Sequence, residues 1–294
     1  MGPSIRLVQQ LAVQIWSRIC HLFRLEFVLW TSWLPLGHKV KFACSRIRLI
    51  WCRQVFWCGA TFSSDNRLGL LLLPTYLEEI ETLFSRLSVD RSRRFKIVDI
   101  GANCGQFALT AAHYLRQMNT DADILCIEPN PRICGLLRTN ISQSPHVISF
   151  RQPLQAAISR IDGPALLFFV PGKSGQGSFS IDAATSNLMN VSGLSQVEVH
   201  TVRLTRETIA QYWSDGRVDL TKVDVEGHED EVLDGISALE TRYVWLETPH
   251  SRDGGLKPST SQRTNSLDLS VVRDSRSNFA VSSNGNVLLQ GRTD

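Results

Sequence analysis

Residues 98–107, VDIGANCGQF, combine an apolar strand end, an acidic residue and two glycines in one short segment. We call residues 99–105 the glycine corner. Gly101 permits a tight exit from a strand, and Gly105 lets the backbone approach the first turn of a following helix. This combination is typical of a cofactor cradle, although an ordinary turn in an α/β sheet has a similar composition.

A second candidate, Glu128, ends the apolar run of ILCIEPNP at residues 124–131. The carboxyl ends of parallel strands lie at one edge of a sheet, so this carboxylate is expected beside the glycine corner. An acid there can accept hydrogen bonds from both ribose hydroxyls of a bound nucleoside, at about 1.5 to 3 kcal/mol each. The alternative is a solvated acid at a strand end.

Asp99 distinguishes between two classes of cofactor. In a dinucleotide enzyme the pyrophosphate lies at the helix N-terminus, where a carboxylate two residues before the first glycine would repel it. S-adenosylmethionine carries no phosphate, and its ammonium and sulfonium groups are cationic, so Asp99 would attract it. The glycine corner therefore predicts a cradle for a positively charged cofactor, with a dehydrogenase as a distant alternative.

An alternation of strands and helices must position these residues. From residue 95 onward, the apolar pattern predicts a parallel sheet with crossover helices. The predicted strands are 95–100, 124–128, 147–151, 218–224 and 243–247, and the predicted helices are 106–117, 132–140 and 228–239. Residues 165–204 interrupt this rhythm with strands at 166–170 and 197–204 around a glycine-rich loop.

The segments on either side of the sheet have less regular patterns. A strand at 70–73, ended by Pro74, and a helix at 76–87 are expected before it. The polar residues 251–266 are expected to be irregular, and a final hairpin is expected from strands 279–282 and 287–289. The chain is thus divided into an extension, a lead-in, a catalytic core and a tail at residues 1–62, 63–94, 95–250 and 251–294.

The N-terminal extension is basic and rich in tryptophan. Residues 1–60 hold eight Lys or Arg, a single acid and five of the seven Trp, and residues 4–30 have the spacing of an amphipathic helix. One interpretation is a surface that contacts a membrane peripherally or docks a partner. The other is a helical cap packed on the core, with arginine stems covering apolar surface.

The overall composition limits the functional classes. A net charge of +3 and a pI near 8.5 are too mild to indicate nucleic-acid binding. The seven cysteines are odd in number and form no CxxC pair, so neither a zinc knuckle nor a disulfide framework is indicated. No apolar run approaches membrane-spanning length, and a signal peptide is disfavoured. We therefore expect a globular, cytoplasmic protein.

Three segments, VDIGANCGQF, IEPNPRICGLLRTN and LTKVDVEGHEDEVLDG, resemble the class I S-adenosylmethionine-dependent methyltransferases, and more narrowly the FkbM family. The resemblance covers about residues 95–247. It implies an α/β fold with a Rossmann-like, mostly parallel sheet and helices on both faces, here with an N-terminal helical and basic extension. It also implies O-methylation of a sugar, glycan or other small molecule, without a metal.

The resemblance assigns most cofactor contacts to the ends of the first two core strands. It places Asp99, Gly101, Asn103 and Gly105 around the methionine part of S-adenosyl-L-methionine. Glu128 would bind the ribose, and the adenosine wall would be formed by Pro129 and Asn130, with Ala156 and Ala157 close to the adenine.

His228 is the candidate general base for the acceptor hydroxyl. It follows the fourth core strand, at the cofactor edge, and histidine titrates near neutral pH. Alternatively, it caps the following helix or pairs with a neighbouring acid. Asp224 and Glu226 could hold the acceptor or orient His228, whereas residues 229–231 are acids at the usual position for stabilising a helix start.

Two alternatives remain open from the sequence. A divalent metal could be held by Asp224, His228 and Glu247, although the site is expected to contain none. The polar tail departs from the family pattern, which raises a catalytically inactive cofactor-binding or membrane-docked interaction protein as the alternative function.

Overall fold

The computed structural model describes residues 54–65, 73–172, 177–179, 193–247, 258–271 and 286–291. Several predicted features lie outside these residues: the extension up to residue 53, most of the strand at 70–73, most of the glycine-rich loop and the hairpin strand at 279–282.

The described strands and helices alternate through most of the chain. In chain order they are β1 Gln54–Trp57, β2 Ala60–Ser63, α1 Leu73–Phe84, β3 Phe95–Ile100, α2 Gln106–Gln117, β4 Ala122–Ile127, α3 Pro131–Ser142, β5 Ala157–Ile158, β6 Gly163–Phe169, β7 Ser195–Val202, α4 Arg206–Ala210, β8 Arg217–Val223, α5 Glu229–Gly235, β9 Glu240–Glu247, α6 Pro258–Ser266, β10 Leu269–Val271 and β11 Asn286–Gly291.

Six strands form the central sheet, in the order β4-β3-β8-β9-β11-β10. The first four are parallel, and β11 runs antiparallel to both β9 and β10. Almost every residue of β3 and β4 is buried, as in strands that are covered on both faces. Val98, Ile127, Val223 and Leu246 continue one core across four neighbouring strands. The predicted α/β class with a mostly parallel sheet is confirmed.

A second, three-stranded sheet has the order β5-β7-β6, with β6 and β7 antiparallel. Its long strands fall where two extra strands were predicted. The sheet packs closely against α5, because a Cβ atom at Gly235 would lie 2.6 Å from the backbone oxygen of Ser159. This contact joins the second sheet to the helix that follows β8.

The predicted strand at 147–151 is wrong. Residues Val147–Ser149 form one 3₁₀ turn, and only isolated bridges join Phe150 to Ile124 and Leu154 to Ile127. The β-branched side chains of Val147 and Ile148 are 49% and 77% exposed. Their strand propensity therefore has no buried face to stabilise it.

The segment before the sheet also differs from the prediction. Residue 73, assigned to a strand ended by Pro74, instead begins α1, and residue 74 lies in its first turn. Proline is tolerated there because the first backbone N–H groups of a helix have no intrahelical partner.

The tail is ordered where it was predicted to be irregular. Residues 258–266 form α6, in which Arg263 binds Asp230 and Asp234 of α5 at 3.2 and 3.1 Å. Strand β11 pairs with β9 on one side and with β10 on the other, and residues 279–282 of the predicted hairpin lie outside the described residues. The chain thus completes the sheet with two closing strands.

Candidate active site

The glycine corner packs against the end of β8 with no space for a side chain at its first glycine. Gly101 has a φ of 74°, and a Cβ atom there would lie 1.9 Å from the backbone oxygen of Asp224. Its N–H donates to the carbonyl of Ile127 at 3.0 Å, which ties the corner to β4. Glycine is required here for both conformational and steric reasons.

Two more residues of the corner adopt left-handed conformations. Gly105 has a φ of 95° and caps α2, and its N–H donates to the carbonyl of Ala102 at 2.8 Å. Asn103 has a φ of 50°, which asparagine tolerates better than most residues, and its Oδ1 accepts from the N–H of Cys104 at 2.8 Å. The corner is therefore a tight, internally hydrogen-bonded turn.

Glu128 lies beside the corner in a fixed orientation. One carboxylate oxygen accepts from the N–H of Asn103 at 3.0 Å and the other from the N–H of Asn130 at 2.9 Å. Asn130 in turn caps α3, with its side chain accepting from the N–H of Arg132 at 3.1 Å. Burial raises the pKa of Glu128 from 4.5 to about 7, although these hydrogen bonds oppose the rise. Each oxygen retains a lone pair for a further donor.

Asp99 is entirely buried at the carboxyl end of β3. Neither of its carboxylate oxygens has a hydrogen-bond partner among the described residues. The nearest cation is Lys222 of β8, which is its cross-strand neighbour and whose Nζ lies 3.5 Å from Oδ1. Burial raises the pKa of Asp99, and Lys222 opposes the rise.

Lys222 connects the two acids at this edge. Its Nζ donates to Oδ2 of Asp224 at 2.9 Å and lies 5.8 Å from the centre of the Phe107 ring. Burial alone would lower the pKa of Lys222, but Asp224 and Asp99 outweigh it and raise the pKa. The sequence analysis did not single out this lysine, although a lysine within the apolar strand LTKV was a usable signal.

Glu247 and Tyr76 also lie near these acids, as the charges acting on them show. We call the group of Asp99, Lys222, Asp224, Glu247 and Tyr76 the charged edge. Glu247 ends β9, and burial followed by the charge of Asp224 raises its pKa. Tyr76 comes from α1, and its pKa is likewise raised, first by burial and then by Asp224. The sequence analysis missed Tyr76, because α1 precedes the part of the chain that carries the motifs.

A third buried acid approaches the corner from the segment after β2. Asn140 of α3 donates to the carbonyls of Ser63 and Cys104, each at 2.8 Å, and so holds this segment against the corner. Asp65 follows, 5% exposed, with an Oδ1 atom that has no hydrogen-bond partner among the described residues. Its charge contributes to the raised pKa of the Cys104 thiol, after burial.

His228 lies directly before Glu229, the first residue of α5. Its ring packs on Phe179, with the centroids 4.6 Å apart. Nδ1 lies 3.6 Å from a carboxylate oxygen of Glu231, and the buried Nε2 has no hydrogen-bond partner among the described residues. Burial lowers the pKa of His228 from 6.5, with Glu231 opposing the change, so the ring is neutral near pH 7.

The remaining predicted residues lie in varied surroundings. Pro129 is half-buried between Glu128 and Asn130, and the small side chains of Ala156 and Ala157 are buried where the chain enters β5. Glu226 is exposed, with a φ of 50°. Its backbone lies between Asp224 and His228, and partial burial followed by the charge of Asp224 raises its pKa to about 7.

The comparisons with known proteins agree with this geometry. A model of the FkbM methyltransferase domain matches residues 99–255, more than half of the chain. The chain belongs to the FkbM methyltransferase family. Two curated relatives are methyltransferases from fungi. The chain is 28% identical to methyltransferase sdnD of Sordaria araneosa over 60% of this chain and 74% of that protein. It is 29% identical to methyltransferase 1 of Beauveria bassiana over 48% of this chain and 57% of that protein.

Among solved structures, the chain is similar to the FkbM methyltransferase of Methylobacillus flagellatus, at 14% identity and a TM-score of 0.39. That match covers 67% of this chain and 43% of the other. Family membership therefore rests on the sequence match to the FkbM domain. Because that family uses S-adenosylmethionine, this protein is an S-adenosylmethionine-dependent methyltransferase.

The residues present fit that cofactor. Asp99 offers two unsatisfied acceptor atoms in a buried position, which suits an ammonium donor. The missing side chains of Gly101 and Gly105 let Asp224 and Leu137 pack directly against the corner. Glu128 presents fixed acceptors one strand away. When bound, S-adenosylmethionine supplies an electrophilic methyl group on a cationic sulfur. The charged edge thus provides acceptors suited to a cation.

The described residues contain neither a metal-binding group nor a membrane-spanning helix. No group of three or more His, Cys, Asp or Glu side chains there is arranged to hold a metal ion, and Asp224, His228 and Glu247 do not form one. No helix within the same ranges is both long and apolar enough to cross a membrane.

Proposed function

We propose that this protein transfers the methyl group of S-adenosylmethionine to a hydroxyl oxygen of a small-molecule acceptor, with His228 as the general base. The observation that carries the proposal is the state of His228. Its Nε2 is buried and has no hydrogen-bond partner among the described residues, and Nδ1 lies 3.6 Å from a carboxylate oxygen of Glu231. Burial also lowers the pKa of the ring, which favours its neutral form. A histidine in this state can accept a proton at Nε2.

The roles of the neighbouring groups follow from their positions. Asp99 and Glu128 would hold the ammonium and the ribose, and the glycine corner would admit the backbone of the cofactor's methionine part. His228 would accept the hydroxyl proton as the acceptor oxygen attacks the methyl carbon and the carbon–sulfur bond breaks. Glu231 would then stabilise the imidazolium through Nδ1. Asp224 is engaged by Lys222 and would maintain the edge rather than take the proton.

The alternative of an inactive binding protein loses its main support in the structure. It was based on the polar tail and on the basic, tryptophan-rich start. Residues 258–271 and 286–291 of the tail form α6, β10 and β11, and the two strands extend the central sheet. A possible membrane contact concerns residues 1–53, which lie outside the described residues.

Paired substitutions test the assignment. Asp99→Asn keeps the side-chain shape but removes the charge, and it should weaken S-adenosylmethionine binding roughly 100-fold in calorimetric titration, because a buried charge-assisted contact is lost. His228→Ala should leave cofactor binding unchanged and lower kcat roughly 10² to 10⁴-fold. Transfer is measured with radiolabelled methyl donor and a panel of hydroxylated acceptors.

A control variant and a pH profile sharpen the test of His228. His146→Ala removes a histidine that bonds His113 at 3.1 Å outside this site, and it should turn over normally. The kcat of the wild type, measured with saturating cofactor, should fall at low pH as His228 becomes protonated. The kcat of His228→Ala should not show this decrease. Normal turnover by His228→Ala would show that the base is another group.

A further inference from the structure

A pocket of about 720 Å³ opens on the second sheet and extends to His228. We call it the acceptor pocket. Its described lining comes from the segment 159–168, from β7, and from Phe179 and His228. This volume lies within the range of sites that bind small organic molecules. His228 therefore lines this pocket, and it follows Asp224 of the charged edge by four residues in the chain.

The described lining of the acceptor pocket is mainly apolar. Phe168 and Phe179 contribute aromatic rings, and Ile161 and Leu166 are 65% and 45% exposed. Of the four large hydrophobic residues that are exposed among the described residues, these two share one pocket. Apolar side chains that are grouped in a concave surface mark a site that an apolar ligand covers.

Two polar groups of the described lining already have hydrogen-bond partners within the protein. The hydroxyl of Thr201 already donates within the sheet, with the carbonyls of Ile161 and Gly163 at 2.7 and 2.9 Å. Asp162 accepts from the N–H of Arg203 at 2.6 Å. A free sugar would bury little apolar surface against the aromatic and aliphatic side chains, whereas an apolar skeleton gains about 25 cal/mol for each Å² that it buries there.

The charges of the lining are of one sign. Glu198 and Asp162 contribute carboxylates, and no lysine or arginine lines the described part of the pocket. An anionic acceptor would therefore be repelled by Glu198, whereas the charge of Asp162 is partly balanced by Arg203 at 4.0 Å. A neutral acceptor with a single hydroxyl directed at His228 would give a hydrogen bond to its buried Nε2, which has no partner among the described residues.

We propose that the methyl acceptor is a neutral compound with an apolar ring skeleton and a hydroxyl group, bound in the acceptor pocket against Phe179 and Leu166. This inference rests on the proposed function, because it treats His228 as the group that receives the acceptor's proton. It narrows the acceptor class from hydroxylated small molecules in general to apolar ones, and disfavours free sugars.

Binding of three probes to the full chain tests the proposal. Naphthol is neutral, apolar and hydroxylated, naphthol sulfonate adds a negative charge, and methyl glucoside is a neutral sugar. Naphthol should bind at least about tenfold more tightly than either of the others, as measured by its fluorescence or by calorimetry with S-adenosylhomocysteine present.

Two matched variants locate the binding site. Leu166→Glu places a charge in the pocket, and Ile148→Glu places one at another exposed apolar residue outside it. Both positions are exposed, so both variants should fold. Leu166→Glu should weaken naphthol binding about tenfold or more, whereas Ile148→Glu should leave it unchanged.

The outcomes separate this proposal from the proposed function. Tighter binding of methyl glucoside or naphthol sulfonate, or equal effects of the two variants, would overturn the acceptor class without touching methyl transfer. Naphthol binding that Leu166→Glu weakens supports the acceptor class. If that binding is found but no hydroxylated compound is methylated, the proposed function fails while the apolar pocket stands.

Discussion

At the glycine corner, Asp99 has no exposed surface and Gly101 has no room for one additional carbon atom, whereas at the acceptor pocket Ile161 and Leu166 are 65% and 45% exposed. The first region is built from backbone and buried charge on the central sheet. The second is built from side chains on a small peripheral sheet. The cofactor is the same in every turnover and suits a rigid, preorganised site, while the acceptor side can change its side chains without disturbing the core.

The largest effect should come from testing the rigidity of the corner. Gly101→Ala should destabilise the fold by at least about 5 kcal/mol and abolish cofactor binding, because its Cβ atom would meet the carbonyl of Asp224 at 1.9 Å. Thermal unfolding and calorimetry measure the two effects. Gly135→Ala is the control, since this glycine of α3 has nothing within 4 Å of an added Cβ atom, and alanine favours a helix. Equal effects of the two substitutions would refute the tight packing described here.

A smaller effect is expected from removing the buried cation. Lys222→Met leaves Asp99 and Asp224 without their partner and should cost about 3 to 5 kcal/mol of stability near neutral pH. The loss should shrink at lower pH as Asp99, whose pKa is raised by burial, becomes protonated. Thermal unfolding across a pH series measures both.

The neighbouring strand offers a matched lysine for this comparison. Lys96 of β3 pairs with Asp215 at 2.6 Å, but that carboxylate is 51% exposed, so Lys96→Met should cost only about 0 to 1 kcal/mol. If the two lysine variants are equally stable, the edge does not depend on its buried charge.

The smallest of these effects is a pH dependence of cofactor affinity. Only ionised Glu128 can accept from both ribose hydroxyls, and its pKa is raised by burial to about 7. Affinity for S-adenosylhomocysteine should therefore fall about tenfold for each pH unit below 7 and level off above it. Calorimetry at a series of pH values measures this, and Glu128→Gln should flatten the profile. A wild-type profile without a bend near neutral pH would contradict the ribose role.

The same raised pKa has a consequence for stability without the cofactor. The unfolded chain ionises Glu128 near 4.5, before the folded protein does at about 7. This residue therefore favours the folded state fully below pH 4.5, and that contribution is lost as the pH rises through 7.

The sequence predicted best where one segment contains the whole pattern. The bounds of β3 and α2 agree with the structure, because buried alternation and helical spacing are local properties. Residues 147–151 have strand propensity without a buried face, and α6 is polar because its contacts are ionic, through Arg263 and the acids of α5. Both predictions were wrong because tertiary contacts, absent in the first case and present in the second, cannot be read from the local sequence pattern.

In the candidate site too, residues marked by a local motif were predicted, whereas residues placed by tertiary contacts were not. Asp99 and Glu128 could be identified because strand ends in an alternating fold converge on one edge. Lys222 could not be paired with Asp99 without the register of β3 and β8. Asp65 and Tyr76 reach the edge from segments before the core, where no motif marks them.

The register that brings Asp99 beside Lys222 also orders events during folding. These residues are far apart in the sequence, so their pairing closes a long loop and belongs among the slow, non-local steps. Until β8 docks on β3, Asp99 has no cation beside it, and the second wall of the corner, the backbone of Asp224, is missing. A cofactor that contacts both strands would therefore bind only the completed sheet. Its binding would stabilise the folded state, and this stabilisation would increase with the cofactor concentration in the cell.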